Sequence, residues 1–369
     1  MLPLLSDSFW IVAAAPLICA ALTRGLMAPA QRYGLVDRPG GRKKHGAPTP
    51  LVGGLAIFLT IMLVAVLMRQ LPGNSESLLA AMVAIIVIGV SDDAHEISHR
   101  LKFIVQFIAA LLIVSGTSVH VEYFGDMLGF GPIMLGKWSY MVTAIAIVGL
   151  MNAINMIDGL DGLAGTQTLL PFLVFSVIAF VGNRAEIGLE MLILSGAIIG
   201  FLYCNLRTPW RSQALVFMGD AGGMLLGLLL AWYSVQLAGS TDAVIKPITA
   251  VWILALPLFD MGSVMLLRVM QRQNPFHADR QHMHYVLLDG GYSVGQVVVI
   301  LSGFSLTCAL LALQAQSVGV PEFVMFYGFL GLWAAYLAAL NQPERIRLLA
   351  FRLISPRRTP ISSNDNECN

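Results

Sequence analysis

The chain has 369 residues, of which 57% are hydrophobic and only 12% are charged, and its formal net charge is +1. This composition excludes an ordinary soluble globular domain, and the net charge of +1 gives no indication of a nucleic-acid partner. The four cysteines have no C-x-x-C spacing, so we expect small apolar side chains rather than metal ligands or disulfide partners.

Eleven apolar stretches follow one another along the chain. A helix needs about 20 apolar residues to cross a hydrocarbon core about 30 Å thick. The sequence therefore predicts an all-α, polytopic integral membrane protein with about eleven transmembrane helices. The stretches are 8–28, 50–68, 78–91, 103–120, 139–154, 166–182, 188–204, 220–237, 247–267, 294–314 and 321–340. The first lacks the basic segment and the small-residue cleavage site of a signal peptide, so we expect it to be retained.

Lysine and arginine are distributed unequally between the two sides that these stretches define. With the N-terminus outside, 18 of the 22 basic residues fall on the inner side, and the exceptions are Arg69, Lys137, Arg184 and Lys246. Basic loops are retained in the cytoplasm, so this bias predicts a periplasmic N-terminus and a cytoplasmic C-terminus. We expect residues 1–340 to form a single transmembrane domain. Residues 341–369 would form a cytoplasmic tail, first basic and suited to anionic headgroups, then disordered.

Polar residues gather in five clusters, and all five fall on the predicted cytoplasmic side. In chain order they are the loop 37–50 and the segments 91–96, 152–162, 216–223 and 275–285. The outer loops are short and chemically plain. Solvated loops without a function would divide their polar residues between both sides, so we expect one site on the cytoplasmic face.

The clusters combine acidic and basic side chains. The acidic residues are Asp92, Asp93, Asp158, Asp161 and Asp220. Carboxylates brought this close together repel one another unless a cation or a shared proton relieves the charge. Hard oxygen ligands favour Mg²⁺, or Mn²⁺, over zinc. The basic residues include Lys44, Arg280, His282 and His284, and a carboxylate-bound cation beside basic groups is typical of phosphate and diphosphate chemistry.

Each cluster also has a purely structural interpretation. Asp92 and Asp93 could be a solvated helix end, and the histidines could be ordinary loop residues. Asp158 and Asp161, which we place one turn apart at a helix end, could be turn residues, although the helix dipole disfavours carboxylates there. Asp260 lies within an apolar stretch, where carboxylates are usually functional, but it could simply hydrogen-bond a neighbour or the kink at Pro257. The shared face favours a functional site.

Four motifs in this order resemble a known family. "DDAHE", "NAINMIDGLDGLAG", "VFMGDAGG" and "DRQHMHY", placed on about eleven spans, are similar to the polyprenyl-phosphate N-acetylhexosamine-1-phosphate transferases, also called glycosyltransferase family 4. The likeness is greatest to the bacterial enzymes that use UDP-N-acetylglucosamine and undecaprenyl phosphate to start O-antigen and related surface glycans. Members of that group usually carry H-x-H-H, and Tyr285 replaces the last histidine here.

The resemblance implies an enzyme of the bacterial inner membrane that moves N-acetylglucosamine-1-phosphate, or a related N-acetylhexosamine-1-phosphate, from a UDP-sugar to undecaprenyl phosphate. UMP is released and Mg²⁺ is required. By motif position, Asp92 and Asp93 would be catalytic, and Asn155 and Asp220 would bind the metal. The residues implied to bind substrate are Asn152, Asp158, Asp161, Arg280, His282, His284, Lys44 and His45. Direct attack and a phospho-aspartate at Asp92 both fit the resemblance, and a homodimer is compatible with it.

Other functions remain as alternatives. The pentapeptide translocase of peptidoglycan synthesis is a relative, but it has three consecutive histidines that this chain lacks. A secondary transporter would also have polar clusters, but its site would lie near the bilayer midplane between sequence repeats. Intramembrane prenyltransferases use two D-x-x-x-D-like sets, and CDP-alcohol phosphotransferases need an arginine that is absent from "DGLDGLAG". Exchange of UMP into UDP-N-acetylglucosamine would separate the transferase from the other classes.

Overall fold

The computed structural model of the chain describes residues 2–38, 48–95, 97–275 and 280–354. Apart from one short antiparallel pair, β1 (Val36–Asp37) and β2 (Thr49–Pro50), the regular structure of these residues is helical. The helices are α1 (Leu2–Tyr33), α2 (Gly53–Met68), α3 (Glu76–His95), α4 (His99–Gly116), α5 (Ser139–Ile157), α6 (Leu163–Val181), α7 (Ala185–Asn205), α8 (Gly219–Ala238), α9 (Pro247–Ile253), α10 (Ala255–Met270), α11 (Met283–Asp289), α12 (Val294–Ser317), α13 (Glu322–Leu340) and α14 (Pro343–Ile354).

Nine helices in the described part of the chain are long and apolar enough to cross a membrane, and α9 with α10 could form a tenth, broken span. The remaining predicted stretch, 50–68, corresponds to α2, an apolar helix of 16 residues. Each of the eleven predicted stretches thus contains a helix or this bent pair. The all-α polytopic architecture is confirmed.

The sequence predicts one span over residues 247–267 with a kink at Pro257, and the structure has two helices separated by a sharp break. The axes of α9 and α10 differ by 78°, and the break lies at Leu254. Pro257, in the first turn of α10, has no N–H to donate to the carbonyl of Ile253, so the helical hydrogen bonding is interrupted at this point. The bend directs the second half, α10, toward the end of the bundle that holds the candidate site.

Helix α8 forms the centre of the bundle, and it packs against α2, α3, α5 and α6. Nearly all of its residues are buried. Glycines allow its backbone to touch its neighbours: a Cβ added to Gly54 in α2 would lie 2.2 Å from the backbone nitrogen of Gly222, and one added to Gly227 would lie 2.5 Å from Cα of Met151. Small residues permit such close contact between membrane helices. The position of α8, and of the acidic residue at its start, is therefore fixed by direct backbone packing.

The basic tail begins with a helix that the sequence analysis did not predict. Helix α14 packs against α11, and Arg347 binds both Glu344 and Asp289 at 2.8 Å. The end of the tail, where we predicted disorder, lies beyond the described residues.

Candidate active site

A cavity of about 330 Å³ lies at one end of the bundle, where α5 and α10 end and where α4, α8 and α11 begin. Its lining consists of His99, Lys102, Phe103, Gln106, Asn152, Asn155, Met156, Asp158, Gly159, Asp220, Met224, Arg268, His282, His284 and Tyr285. Three of the predicted polar clusters contribute side chains directly, and a fourth contacts the lining through Lys102. The volume is typical of a site for a small molecule.

Lys102 joins two acidic side chains from different helices. Its Nζ donates to Oδ2 of Asp92, in the last turn of α3, at 2.7 Å, and to Oδ2 of Asp220, in the first turn of α8, at 2.8 Å. The two carboxyl groups are themselves close enough to hydrogen-bond. Asp92 is held further by the backbone N–H of Ile97, which donates to Oδ1 at 2.7 Å. Lys102 supplies the positive charge that a close carboxylate pair requires.

Asp93 caps the central helix. Its carboxylate accepts from the backbone N–H groups of Asp220 at 2.8 Å and Ala221 at 3.4 Å, which satisfies free donors at the start of α8. Gly219 has φ +73°, and a Cβ at this position would lie 2.5 Å from the Asp93 carboxylate. The structure thus places Asp93 behind Asp220, where it fixes the helix start instead of lining the cavity.

Two asparagines one turn apart on α5 line the cavity. The Asn155 side chain hydrogen-bonds to Asp220. Asn152 donates through Nδ2 to Oε1 of Gln106 at 2.8 Å and to the carbonyl of Val148 at 2.8 Å. Both N–H positions of Asn152 are therefore used by the protein, which fixes its side-chain orientation and leaves its carbonyl oxygen as the group suited to a ligand.

We expected Asp158 and Asp161 to lie one turn apart at the end of a helix, and this prediction is wrong. Helix α5 ends at Ile157, and both residues lie in the connection to α6. Asp158 lines the cavity, whereas Asp161 binds Arg207 Nε at 2.6 Å and the backbone N–H of Ala214 at 3.2 Å. The prediction failed because glycines release this segment from the helix. Asp161 secures the loop after α7.

The environment of Asp158 disfavours its charged form. Burial, reinforced by the nearby Asp220 carboxylate, raises the pKa of Asp158 to about 7. The adjoining Gly159 is the contact point for the histidine segment, because a Cβ there would lie 2.3 Å from Nε2 of His284. A cation near Asp158 would favour the ionised carboxylate.

His282 and His284 both line the cavity and are buried. Nδ1 of His282 lies 2.5 Å from Oδ2 of Asp260. Neither ring nitrogen of His284 has a hydrogen-bond partner among the described residues, and burial lowers the pKa of His284 to about 3. His284 is therefore a neutral ring with unused donor and acceptor capacity at the cavity wall, as expected of a group that meets a ligand.

Arg280 lies at the rim rather than in the cavity lining. It binds Asp289 at 3.4 Å, and its guanidinium lies 4.4 Å from the ring centroid of Tyr285. Tyr285 itself lines the cavity. The residue that replaces the usual histidine thus contacts both Arg280 and the site. Lys44 and His45, the two predicted contributions of the first loop, lie outside the described residues.

Comparisons with known proteins identify the family of the chain. The family model described as "Glycosyl transferase family 4" matches residues 75–238, which include α3 to α8. The undecaprenyl-phosphate alpha-N-acetylglucosaminyl 1-phosphate transferase of Pasteurella multocida is 31% identical over 328 residues, 89% of this chain and 92% of that protein. The enzymes of the same name from Haemophilus influenzae and Escherichia coli K12 are 30% and 31% identical, over 89% and 82% of this chain. The chain belongs to glycosyl transferase family 4.

The site of this family 4 protein includes residues that the sequence analysis did not single out. They are His99, Lys102, Gln106 and Arg268. The sequence position of Lys102 could have marked it as a candidate site residue. It lies near the start of α4, where the positive end of the helix dipole disfavours a cation. Gln106 lies one turn later within an apolar helix and is 2% exposed. Polar residues at such positions need partners, and here the partners come from α3, α5 and α8.

Three residues from α3, α5 and the start of α8 suit a divalent cation. Asp92, Asp220 and Asn155 offer carboxylate and amide oxygens, the ligands that Mg²⁺ and Mn²⁺ prefer. The ammonium group of Lys102 between Asp92 and Asp220 shows that these carboxylates are arranged around positive charge. The donor set and the charge therefore fit such an ion.

Proposed function

We propose that this family 4 protein transfers N-acetylglucosamine-1-phosphate from UDP-N-acetylglucosamine to undecaprenyl phosphate and releases UMP, as the first membrane step in the synthesis of a surface polysaccharide. The observation that carries the proposal is the bridge from Lys102 to Asp92 and Asp220 beside a polar cavity at one end of the bundle. Relatives named for this activity cover about nine-tenths of the chain.

The reaction exchanges one diphosphate bond for another. An oxygen of the lipid phosphate forms a bond to the sugar-bound phosphorus, and the bond from that phosphorus to UMP breaks. Both reactants are anions, so their approach is opposed by Coulomb repulsion, which positive groups relieve most strongly at a partly dehydrated site. Lys102 and Arg268 in the cavity lining provide such charge.

Mg²⁺, when bound by Asp220 and Asn155, would neutralise the donor diphosphate and polarise its phosphorus–oxygen bonds. Asp92 would position or deprotonate the acceptor phosphate. Asp93 would hold the start of α8 and so the direction of Asp220. His282 and His284, which also line the cavity, would bind the donor diphosphate and sugar. Asp158 and Asn152 would contact the uridine or the metal shell.

The predicted orientation agrees with this chemistry, since UDP-sugars are made in the cytoplasm and the cavity lies at the end of the bundle assigned to that side. We place the protein in the inner membrane with its site on the cytoplasmic face. A secondary transporter would need a site near the midplane, whereas this cavity is formed at helix ends.

Isotope exchange tests the proposal directly. Membranes containing the protein, supplied with Mg²⁺, polyprenyl phosphate, unlabelled UDP-N-acetylglucosamine and labelled UMP, should move the label into UDP-N-acetylglucosamine, because the reaction exchanges bonds of nearly equal energy. Incorporation should stop when EDTA is added. If the purified protein in lipid catalyses no exchange while its relative from Escherichia coli K12 does so in parallel, the proposed function is wrong.

A further inference from the structure

Asp260 is a carboxylate buried inside helix α10, and it is only 2% exposed. Three polar groups converge on it. Oδ2 lies 2.5 Å from Nδ1 of His282, and Oδ1 accepts from the backbone N–H of Met283 at 3.1 Å and from the hydroxyl of Tyr336 at 2.8 Å. The carboxylate thus ties the segment before α11 to both α10 and α13.

A carboxylate in this position is expensive to bury, and the cost is met only when its partners are well placed. Asp260 is not part of the cavity lining, but its partner His282 is. Oxygen and nitrogen atoms of Asp260, His282 and His284 lie within 4.8 Å of one another. The 2.5 Å between Asp260 and His282 accommodates a shared proton but not a metal ion, whose bonds to such atoms are each about 2.0–2.2 Å long.

We propose that Asp260 is a positioning residue that acts on the donor diphosphate through His282. The proposal rests on the proposed function for the identity of the ligand. Asp260 keeps a proton on Nδ1 of His282 and fixes the plane of the ring, so that Nε2 is the ring nitrogen left for the cavity. Tyr336 and the Met283 amide hold the other carboxylate oxygen, which prevents the acid from rotating away.

The Asp260–His282 pair gives the ring two useful properties. A defined tautomer presents the same ring atom to every ligand. The Asp260 carboxylate also balances the positive charge of the ring when Nε2 binds a proton and donates it to a phosphate oxygen. His284, stacked on His282 with ring centroids 5.3 Å apart, would then share the ligand with a partner whose position is fixed.

The first test is Asp260→Asn. The amide oxygen can still accept from Met283 and Tyr336, but the amide nitrogen would face Nδ1 of His282 and force the ring proton to Nε2. We expect kcat/KM for UMP exchange to fall by about 10- to 100-fold, with unchanged yield and thermal stability in detergent. Glu190→Gln is the matched control, because Glu190 is also a membrane-helix carboxylate with two donors, the Gly73 amide and the Tyr233 hydroxyl. Its effect should be less than about twofold.

A double-mutant cycle separates positioning from a purely structural role. If Asp260 acts through His282, Asp260→Asn should have almost no further effect on kcat/KM in a His282→Ala background. Equal losses in both backgrounds would overturn the proposal. The tautomer can also be read without activity, from ring-nitrogen resonances of ¹⁵N-histidine-labelled protein, with the His282 signals assigned by their loss in His282→Ala.

The resonance experiment keeps the two proposals separate. We expect the wild-type His282 ring to be protonated at Nδ1 and the Asp260→Asn ring to be protonated at Nε2 alone. If the wild type shows the expected tautomer but no UMP exchange, the transferase proposal fails and the Asp260–His282 pairing stands. If the tautomer is the same in both proteins, the positioning role is wrong whatever the activity.

Discussion

The acidic residues of the site have three different roles because their surroundings differ. Asp92 and Asp220 both form ion pairs with Lys102. Asp93 accepts hydrogen bonds from the backbone amides at the start of α8, and Asp161 forms an ion pair with Arg207. The motifs identified all of these positions from the sequence. The different role of each aspartate could not be predicted, because the roles depend on Lys102. This residue is distant in sequence from Asp220 and belongs to none of the motifs.

Asp220→Asn tests the metal assignment. The substitution preserves size and hydrogen bonding but removes one anionic ligand, so activity should fall at least about 100-fold, which corresponds to about 2.7 kcal/mol of barrier stabilisation. UMP exchange measured over a range of Mg²⁺ concentrations checks this. Asp242→Asn, in an exposed loop at the opposite end of the bundle, is the control and should behave as the wild type. If Asp220→Asn kept near-normal turnover at saturating Mg²⁺, the assignment of Asp220 as a metal ligand would be wrong.

The raised pKa of Asp158, about 7 against an ordinary value of 3.8, predicts a pH dependence of stability. Between these values the folded protein keeps a proton that the unfolded chain has released, so the contribution of Asp158 to stability is present below about pH 4 and is lost as pH rises through 7. In EDTA, Asp158→Asn should therefore have a higher Tm than the wild type at pH 8, and the difference should shrink toward pH 5.

Asp161→Asn provides the comparison for that experiment. Asp161 has a cationic partner, Arg207 at 2.6 Å, so neutralising it removes a favourable interaction and should not raise Tm at pH 8. Thermal unfolding of both variants in one detergent and without divalent cations gives the answer. Equal Tm values for Asp158→Asn and the wild type at pH 8 would show that burial does not penalise the Asp158 charge.

At the level of helices, the sequence predicted the elements better than their ends. The apolar stretches located every span because hydrocarbon imposes their length and composition. A kink at Pro257 was expected, but neither the size of the bend at Leu254 nor the end of α5 at Ile157 was predicted. Both depend on local backbone effects, at Pro257 and around Gly159, within otherwise continuous patterns. These two departures matter for function. One brings α10 to the cavity, and the other frees Asp158 to line it.

Gly54→Ala tests the packing that holds α8 in place. A methyl group there would lie 2.2 Å from the backbone nitrogen of Gly222, so α2 and α8 must separate. We expect the free energy of unfolding to fall by about 1–3 kcal/mol, and activity to fall as well because α8 carries Asp220. Gly149→Ala is matched in chemistry and lies in a helix, but its added Cβ would have nothing within 4 Å. If Gly54→Ala were as stable as Gly149→Ala, the close packing of α2 against α8 would be contradicted.

For the whole molecule, the structure brings the polar segments 152–162, 216–223 and 280–285 to the same end of the bundle, with Asp92 joined to them through Lys102. The sequence predicted this from alternation alone, because each crossing reverses the direction of the chain. Which side of the membrane this end faces is a separate question. The prediction rests on the basic residues, 18 of 22 of which the sequence pattern assigns to the side that also holds the polar clusters.

Cysteine labelling tests that orientation. In a background without the four native cysteines, single cysteines at Gln213 and Gln273, both exposed at the cavity end, should resist a membrane-impermeant thiol reagent in intact cells and react in inverted vesicles. Cysteines at Thr241 and Ser317, exposed at the other end, should show the reverse. The expected asymmetry follows from the retention of basic loops in the cytoplasm. Labelling of Gln213 and Gln273 from opposite sides would divide one cavity across the bilayer. Labelling of both from outside would place the cavity where no UDP-sugar reaches it, and the proposed reaction could then not occur in the cell.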